Sequence, residues 1–489
     1  MRFIDNFLNQ ITMYRLVLYY LIALVAASVV LSSFNLLPFT SLSIILSAGV
    51  LLATCFIVNK LLSFVFKVPA NIESSYITAL ILTLIITPAG RPSDFIFLVV
   101  AGALAMIGKY VLFFEKRHIF NPAAAAVVVT GFMFVWHASW WVGTLLMLPF
   151  LLAGILIVIK IKRIEMVSVF LAAATLTMMV LGITRGVDPI LLLKNTFLDS
   201  PILFFAFIML TEPLTSPTRK NLQIIYGLLV GILFSSQLAL AGYYLTPEFA
   251  LLAGNLFAWL VGMKTRLALK LKEKINMAQN ISEFVFIRPK NFGFIPGQYM
   301  EWTFSHKGVD SRGNRRFFTI ASSPTEDTLR LGVRFEQNGS SFKRALSNLN
   351  TSQTVFAGQL GGDFVLPDDA SKKLVFIAGG IGITPYRSIV KYLVDKDETR
   401  DIILFYMTKT AEEIVYRDVF QMGKKIGLKT VYRTERLDSE TIKKEVPDYN
   451  LRTFYLSGPH GMADAYKSVL KQIRVRQGNI VVDYFPGYA

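Results

Sequence analysis

Cysteine is nearly absent, with one in 489 residues, Cys55, set inside an apolar run. A disulfide framework, a cysteine-ligated zinc site and an iron–sulfur cluster all need more thiols than that, so each is excluded. Four histidines narrow metal chemistry further, and no metal site is expected. Charge is scarce as well, at 17% of the chain against roughly 25% in ordinary soluble domains, while hydrophobic residues reach 53%. The shortage is local: about 24 of the 83 charged residues precede Met263, and the remainder follow it at ordinary soluble density. Two chemically different halves are therefore joined in one chain. Met1 to Asn9 runs into a long apolar stretch with no small-residue cleavage signal, which reads as a retained first membrane helix.

About ten apolar segments recur between Tyr14 and Met263, each near the roughly 20 residues that a bilayer demands. Their cores run Tyr14 to Phe34, Leu42 to Val58, Tyr76 to Thr87, Phe95 to Phe113, Pro122 to Trp136, Gly143 to Ile159, Val167 to Ile183, Ser200 to Leu210, Leu222 to Leu240 and Glu248 to Met263. With ten crossings, alternate loops divide the cations unevenly. Arg2, Arg15, Lys60, Lys67, Lys109, Lys116, Arg117, Lys160, Lys162, Arg163, Arg219 and Lys220 fall on one side, against Arg91, Arg185 and Lys194 on the other. That bias predicts a multi-pass protein of the cell (inner) membrane with both termini and the whole soluble half in the cytoplasm. Trp136, Trp140 and Trp141 are expected as interface anchors at the outer boundary. Five helices per half force opposite orientations and permit an inverted repeat. The third and eighth segments are short and run into Pro88 and into Thr211-Glu212-Pro213, the pattern of half-helices that meet at a ligand site. Short segments are also what tilted fillers or miscounted helices look like.

Asn71-Ile72-Glu73-Ser74 with Thr78, His118-Ile119-Phe120-Asn121-Pro122-Ala123-Ala124, Thr211-Glu212-Pro213 with Ser216-Pro217, and Gly254-Asn255 follow one another in order. These motifs resemble the flavin-carrying membrane subunits of the sodium-translocating NADH:quinone reductase and Rnf complexes, over nearly the whole membrane half. The resemblance implies a membrane domain that carries electrons on a flavin, with Thr87, Asn121, Pro122, Thr211, Glu212, Pro213 and Asn255 as its candidate flavin contacts. The family's covalent flavin hangs on the threonine of a Ser-Gly-Ala-Thr stretch, and the matching outer loop, Thr184 to Ser200, has no such sequence. Thr184 and Thr196 are weak stand-ins, so a non-covalent FMN or riboflavin is expected instead. Haem is not: His118 and His137 flank one predicted helix and would lie roughly 28 Å apart, on opposite sides of the bilayer. His118 is expected to support the Asn121-Pro122 turn.

Beyond Met263, residues Lys264, Arg266, Lys270, Lys272 and Lys274 read as a basic linker, 264–276, suited to anionic headgroups. Alternation then predicts strands at Phe284 to Ile287, Tyr299 to Phe304, Phe317 to Ala321 and Arg330 to Phe335, forming a small antiparallel barrel over 277–369. From 370 to 489 the pattern becomes strand, glycine turn, helix, repeated. Its pieces are Leu374 to Ala378, Pro385 to Val394, Ile402 to Met407, Ile414 to Met422, Leu428 to Tyr432, Thr453 to Ser457 and Met462 to Ile473, a doubly wound parallel sheet.

Within the barrel, Arg316-Phe317-Phe318-Thr319 offers a cation for a pyrophosphate, an aromatic face for an isoalloxazine ring and a hydroxyl. Gly339-Ser340-Ser341-Phe342 opens a predicted helix, Phe342 to Leu349, whose amide hydrogens suit a phosphate. Pro296-Gly297-Gln298-Tyr299 precedes both, and Gly361-Gly362-Asp363-Phe364-Val365-Leu366-Pro367 follows. Gly379-Gly380-Ile381-Gly382-Ile383-Thr384-Pro385 stands where a strand ends and a helix begins, with Thr384 able to cap and Pro385 suited to the first helical position. With Ser457-Gly458-Pro459 after the last strand, these motifs resemble the ferredoxin-NADP reductase superfamily over about residues 278 to 489. The resemblance implies FAD contacts at Arg316, Phe318, Thr319, Arg334, Gly339, Ser340, Ser341 and Tyr484. It implies NAD(P) contacts at Gly379, Gly380, Gly382, Thr384, Pro385, Lys409, Gly458 and Pro459, and catalytic roles for Ser457, Asp483 and Phe485. Phe318 stands in place of the usual tyrosine and Ser457 in place of the usual cysteine, so stacking survives while a hydrogen bond and a thiol are lost. Lys409 and Arg433 suit either nucleotide, and NADH is favoured over NADPH.

Taken together, the chain is expected to combine a polytopic α-helical membrane domain, 1–263, with a ferredoxin reductase-like module made of an FAD-binding β-barrel and a nucleotide-binding domain. It is expected to pass electrons from cytoplasmic NAD(P)H through FAD and a membrane flavin to an extracytoplasmic or lipid-soluble acceptor, since roughly 30 Å of hydrocarbon is too wide for one hop. The partner is a flavin-bearing acceptor protein at the outer face or a quinone, besides the lipid bilayer. Two alternatives stand: a membrane-anchored quinone reductase acting only at the inner face, and an ion or flavin transporter with the reductase as regulator. The second is disfavoured by the scarcity of intramembrane acids, since Glu73, Glu212 and Glu248 read as loop-edge residues. Inner loops and the cytoplasmic half account for the +17 net charge, so no nucleic acid partner is expected.

Overall fold

A computed structural model describes residues 11–66, 72–111, 113–114, 117–134, 137–235, 239–240, 243–262, 267–310, 313–336, 339–351 and 353–483. The chain divides after residue 266 into two compact units.

The first unit is helical: α1 (Met13–Ser33), α2 (Ser41–Val65), α3 (Ile72–Ile85), α4 (Pro92–Val111), α5 (Pro122–Phe134), α6 (Leu148–Leu152), α7 (Ile155–Lys160), α8 (Ile164–Ile183), α9 (Pro189–Leu198), α10 (Ile202–Phe204), α11 (Lys220–Leu233) and α12 (Pro247–Val261). Two two-residue ribbons, β1 (Phe113–Phe114) with β2 (Arg117–His118) and β3 (Ala239–Leu240) with β4 (Tyr243–Tyr244), accompany these helices. His118, expected to support a turn, lies in β2. An apolar run in hydrocarbon must satisfy its own backbone, and a helix does so within one segment. Hydroxyl and carboxylate caps start several helices: Thr12 accepts from the Arg15 amide, Thr40 from Ser43, and Asp188 from Leu191.

Among the described residues each of the ten apolar segments carries helix, although the fourth ends in β1 and the ninth in β3, and fewer than ten of these helices are long enough for a span. Among the described residues four helices, α1, α2, α4 and α8, are long and apolar enough to cross a membrane, and a fifth joins them if Pro189–Leu198 and Ile202–Met209, bent by 55°, form one span. The others are shorter. The outer loop Thr184 to Ser200 is not a loop, since α9 fills most of it with Pro189 at its start. The eighth segment is irregular, as its composition suggested: α10 runs directly into a π-helical turn, Phe205–Met209. Glycines set the closest helix contact. A Cβ on Gly227 would lie 2.5 Å from the Met166 carbonyl oxygen and one on Gly231 2.7 Å from that of Phe170, so α11 packs backbone to backbone on α8.

The second unit begins at Leu267, so most of the expected linker 264–276 is strand. In β5 (Leu267–Ala278), Leu267, Leu269 and Leu271 point inward while Lys270 and Lys272 point out, a two-residue period that the basic side chains disguise. With β6 (Ile281–Ile287), β7 (Tyr299–Thr303), β8 (Arg315–Thr319), β9 (Thr328–Arg334) and β10 (Thr354–Gly361) it forms an antiparallel sheet of order β8-β7-β10-β5-β6-β9, with α13 (Ser341–Ser347) between β9 and β10. A parallel sheet follows, built of β11 (Leu374–Gly379), β12 (Ile402–Met407), β13 (Leu428–Arg433), β14 (Thr453–Ser457) and β15 (Ile480–Val482) in the order β13-β12-β11-β14-β15. Its helices are α14 (Thr384–Lys396), α15 (Arg417–Met422), α16 (Ser439–Glu445) and α17 (His460–Gln472). The predicted helix Ile414 to Met422 shrinks to α15, because Tyr416 takes a left-handed conformation, φ 62°, immediately before it.

At the amino-terminal edge of this parallel sheet, Arg452 bonds Asp401 at 2.7 Å and Asp448 at 2.6 Å, and Lys373 adds a 2.8 Å contact to Asp448. The Arg452 guanidinium, aided by Lys373, brings the Asp448 carboxyl down to about 2. A folded pKa below the unfolded one gives stability that is present above about pH 4 and lost as pH falls toward 2. Asp448→Asn should cost about 1 kcal/mol at neutral pH, discounted for its partial exposure, and flatten the acid-side fall in melting temperature. Thermal unfolding of the purified chain across that pH range measures both.

Candidate functional site

Strand β8 sets Arg316 and Phe318 on one face by two-residue alternation and Thr319 on the other. Arg316 is 1% exposed. Its Nη1 donates to the carbonyls of Arg315 at 2.6 Å and Gly313 at 3.4 Å, and its guanidinium lies 5.5 Å from the Phe342 ring centroid. Phe342 in turn sits 6.1 Å from Phe318, which is half-buried and offers part of its ring surface. A fixed cation beside aromatic faces is the donor set that a dinucleotide with a tricyclic ring needs.

The start of α13 is differently arranged from the expected phosphate site. Ser340 caps the helix, accepting from the Lys343 amide at 3.3 Å. The Ser341 amide donates to Asp310 at 2.8 Å, the Ser341 hydroxyl accepts from the Asp310 amide at 2.9 Å, and His306 Nε2 lies 3.1 Å from the same hydroxyl. A carboxylate thus holds the amide that Ser341 was expected to give a phosphate, and Gly339 donates to the Glu336 carbonyl. Asp310, in a polar loop with no periodicity, carried no signal in the sequence.

On the parallel sheet, β11 and β14 are neighbours whose chains leave in opposite directions, the switch point where ligands bind in such sheets. The turns that follow them touch. A Cβ on Gly382 would lie 2.5 Å from the Ser457 carbonyl oxygen and 2.6 Å from Gly458, and one on Gly379 would meet Met462 Sδ at 2.2 Å. Gly380 has φ 53°, a left-handed conformation that favours glycine. Pro459 is the residue before α17, and Pro385 lies in the first turn of α14. Thr384 does not cap α14: it is the first helical residue, and its hydroxyl donates to the Ile381 carbonyl at 3.2 Å. Ser457, 2% exposed, places its hydroxyl 2.9 Å from an Asp483 carboxylate oxygen, joining two of the three predicted catalytic residues. Phe485 and Tyr484 lie outside the described residues.

Arg334 is placed differently from the expectation of a flavin contact. It forms a bidentate ion pair with Glu413, in the short turn after β12 of the parallel sheet, and its Nη1 lies 3.3 Å from where a Cβ on Gly380 would stand. Its guanidinium therefore overlooks the glycine turn. Lys409 is exposed, with its amide donating to Glu413 at 3.3 Å, and Arg433 pairs with Glu445.

In the helical unit, three of the predicted motifs converge. The Asn121 amide nitrogen donates to Asn255 Oδ1 at 2.8 Å, Asn121 Nδ2 donates to Glu212 Oε2 at 2.8 Å, and Asn121 Oδ1 accepts from the Ala124 amide at 3.0 Å. Asn255 Nδ2 donates to the Thr215 carbonyl at 3.0 Å and to Tyr226 Oη at 3.2 Å, while Thr215 bonds Glu212. Pro122 follows directly as the first residue of α5, and Pro213 is buried beside Glu212. Thr211 bonds its own helix through Phe207 O, and Thr87 is exposed past the far end of α3, apart from this network. Arg163, expected as a loop cation, is buried and donates to Ser216. Trp140 and Trp141 are not exposed anchors: both are buried, Trp140 donating to Glu248 at 3.0 Å and Trp141 to Thr83 and Ile86 carbonyls. Glu248, read as a loop-edge acid, is buried in the first turn of α12. Of the weak threonine stand-ins, Thr184 is exposed and Thr196 is buried and bonded to Leu192 O.

Residues 376–468 match the family model described as "Oxidoreductase NAD-binding domain". The chain is 24% identical over 240 residues to the flavohemoprotein of Oceanobacillus iheyensis, covering 44% of this chain and 58% of that one. It is 26% identical over 194 residues to an NADPH oxidoreductase of Mycobacterium tuberculosis, covering 37% and 50%. The chain thus spans about half the length of the curated relatives it matches. Among solved structures, the Amycolatopsis cytochrome P450 reductase aligns with 23% identity and a TM-score of 0.40 over 45% of this chain and 69% of that one. The matched residues lie on the parallel sheet of the second unit, which follows its antiparallel sheet.

Proposed function

We propose that this chain is a membrane-bound, FAD-dependent NAD(P)H oxidoreductase. The observation that carries the reading is the meeting of Ser457 and Asp483 beside the Gly379–Gly382 turn, in the same unit as the Arg316 and Phe318 strand. Arg316 would hold the FAD pyrophosphate and Phe318 would cover part of its ring, with Asp310 giving up the Ser341 amide if a phosphate binds there. The glycine turn, with Pro385 fixing the start of α14 behind it, would receive the pyrophosphate of the nicotinamide nucleotide, with Arg334 supplying a cation from the barrel side and Glu413 fixing that cation in place. Ser457, backed by Asp483, would orient the nicotinamide, and the buried position of the hydroxyl keeps water from it. FAD when bound takes the two-electron hydride and gives electrons up singly.

The reading extends to the membrane half: electrons pass to a non-covalent flavin near Asn121, Glu212 and Asn255 and on to an extracytoplasmic or lipid-soluble acceptor, with the basic loops and the reductase module in the cytoplasm. Convergence of those three motifs supports it, since separate apolar segments bring their polar residues to one place. Cofactor extraction tests this leg. Detergent-purified protein should release FAD and a second, smaller flavin; a single flavin per chain, all FAD, removes the membrane step. Vesicles with an impermeant acceptor trapped on the outer-facing side should reduce it when NADH is added outside. No reduction of the trapped acceptor, with a quinone still reduced, would leave an enzyme acting at the inner face alone.

A further inference from the structure

The barrel and the parallel sheet are held together by a buried polar joint apart from the predicted cofactor contacts. Arg387, on the first turn of α14, is 5% exposed. It forms a bidentate ion pair with Glu326, with Nη2 at 2.8 Å, and its Nη1 also donates to the Ala321 carbonyl at 3.1 Å. Ser388 beside it donates to the Ser322 carbonyl at 2.6 Å. On the barrel side, Glu326 is further held by the Ser323 amide at 2.6 Å and by Arg330 at 3.3 Å, and Arg330 reaches the buried Glu283. The ring of Tyr416 closes the joint, 5.7 Å from the Arg387 guanidinium.

The position of the joint is what gives it a role. Segment 321–326 follows directly on β8, which carries Arg316, Phe318 and Thr319. Arg387 lies one turn into the helix that opens at Gly379–Ile383. A planar guanidinium in two parallel bonds to a buried carboxylate fixes orientation as well as distance, which an ammonium cannot do. We propose that Arg387, with Glu326, is a positioning residue that sets the angle between the flavin-bearing strand and the nucleotide-bearing turn, and with it the approach of the hydride donor to the flavin. The proposal rests on the oxidoreductase reading above.

The test is made on the full chain loaded with FAD, using NADH and NADPH in turn. In Arg387→Lys, the rate of flavin bleaching at saturating nucleotide should fall about tenfold, and in Arg387→Gln or Glu326→Gln about 100-fold, the scale expected of an ångström's misplacement. Nucleotide KM and FAD content per folded chain should stay within about twofold. The primary isotope effect with 4-deuterated nucleotide should rise, and the double substitution should cost no more than either single Gln variant. A joint that merely stabilises the fold would lower the melting temperature of R387K and E326Q while their bleaching rate per FAD-loaded chain stayed at the wild-type value; that result overturns the proposal. Wild-type chains that bind FAD yet are bleached by neither nucleotide would overturn the oxidoreductase reading and the clamp with it.

Discussion

Arg316→Ala should purify as a folded chain carrying less than about a tenth of the wild-type FAD. The guanidinium is the one cation that β8 places at the aromatic pair Phe342 and Phe318, and a dinucleotide pyrophosphate in a largely dehydrated site depends on a charge-assisted contact worth about 1.5–3 kcal/mol. The loss of that contact alone lowers affinity by roughly 10- to 150-fold. Arg316→Lys keeps the charge and gives up the planar fork, so it should retain an intermediate share of flavin. Visible flavin absorbance per mole of protein reads the effect directly, and an unchanged melting temperature and circular dichroism spectrum check that the chain is folded. Full flavin content in Arg316→Ala would mean that this strand does not hold the cofactor.

The second large effect is expected at Gly382. A methyl group there would stand 2.5 Å from the Ser457 carbonyl oxygen and 2.6 Å from both the nitrogen and the Cα of Gly458, and backbone of a parallel strand cannot swing aside as a long side chain can. Gly382→Ala must therefore push the glycine turn away from Ser457. NAD(P)H oxidation should fall at least about 100-fold while FAD remains bound, because Arg316 and Phe318, the proposed flavin contacts, lie in the other sheet. Reoxidation of the chemically reduced flavin by ferricyanide should be unchanged. Gly461→Ala is the matched control: no atom lies within 4 Å of the methyl it would gain, on the first turn of α17, and it should behave as wild type. Equal loss in both variants would point to general destabilisation instead.

Much of the second unit was legible because its signals are short-range. Ile402–Met407 is a fully buried parallel strand and reads as an unbroken apolar run, Thr453–Ser457 is buried after Thr453 around the apolar core Phe454–Leu456, and the turn between β11 and α14 is spelled by its glycines. β5 escaped because lysines on its outward face imitate a linker, and β10, Thr354–Gly361, because its alternation is interrupted by a bulge between Gly358 and Gly361. In the helical unit, composition located the apolar segments but could not assign lengths: α5 and α12 fall short of a full span, and α9 fills what polar residues marked as a loop. Trp140, Arg163 and Glu248 are buried where an interface anchor, a loop cation and a loop-edge acid were expected, for one reason. Their partners, Glu248, Ser216 and Trp140, come from distant segments, and a charge or indole at a helix end looks solvated until its partner is seen. Ser457 and Asp483 were each expected at the site, but their contact, across 26 residues, and that of Arg334 with Glu413, across 79, had no local signal.

Asn121, Glu212 and Asn255 form a closed circuit in which every member serves two of the others' polar atoms or their neighbours', in surroundings that offer little water to a stranded amide. Drift at any one of the three sites strands the remaining two. The trio should therefore be inherited as one character, changing together or not at all, and a pairwise swap of Glu212 for Gln with a compensating acid at 121 should be tolerated where either alone is not.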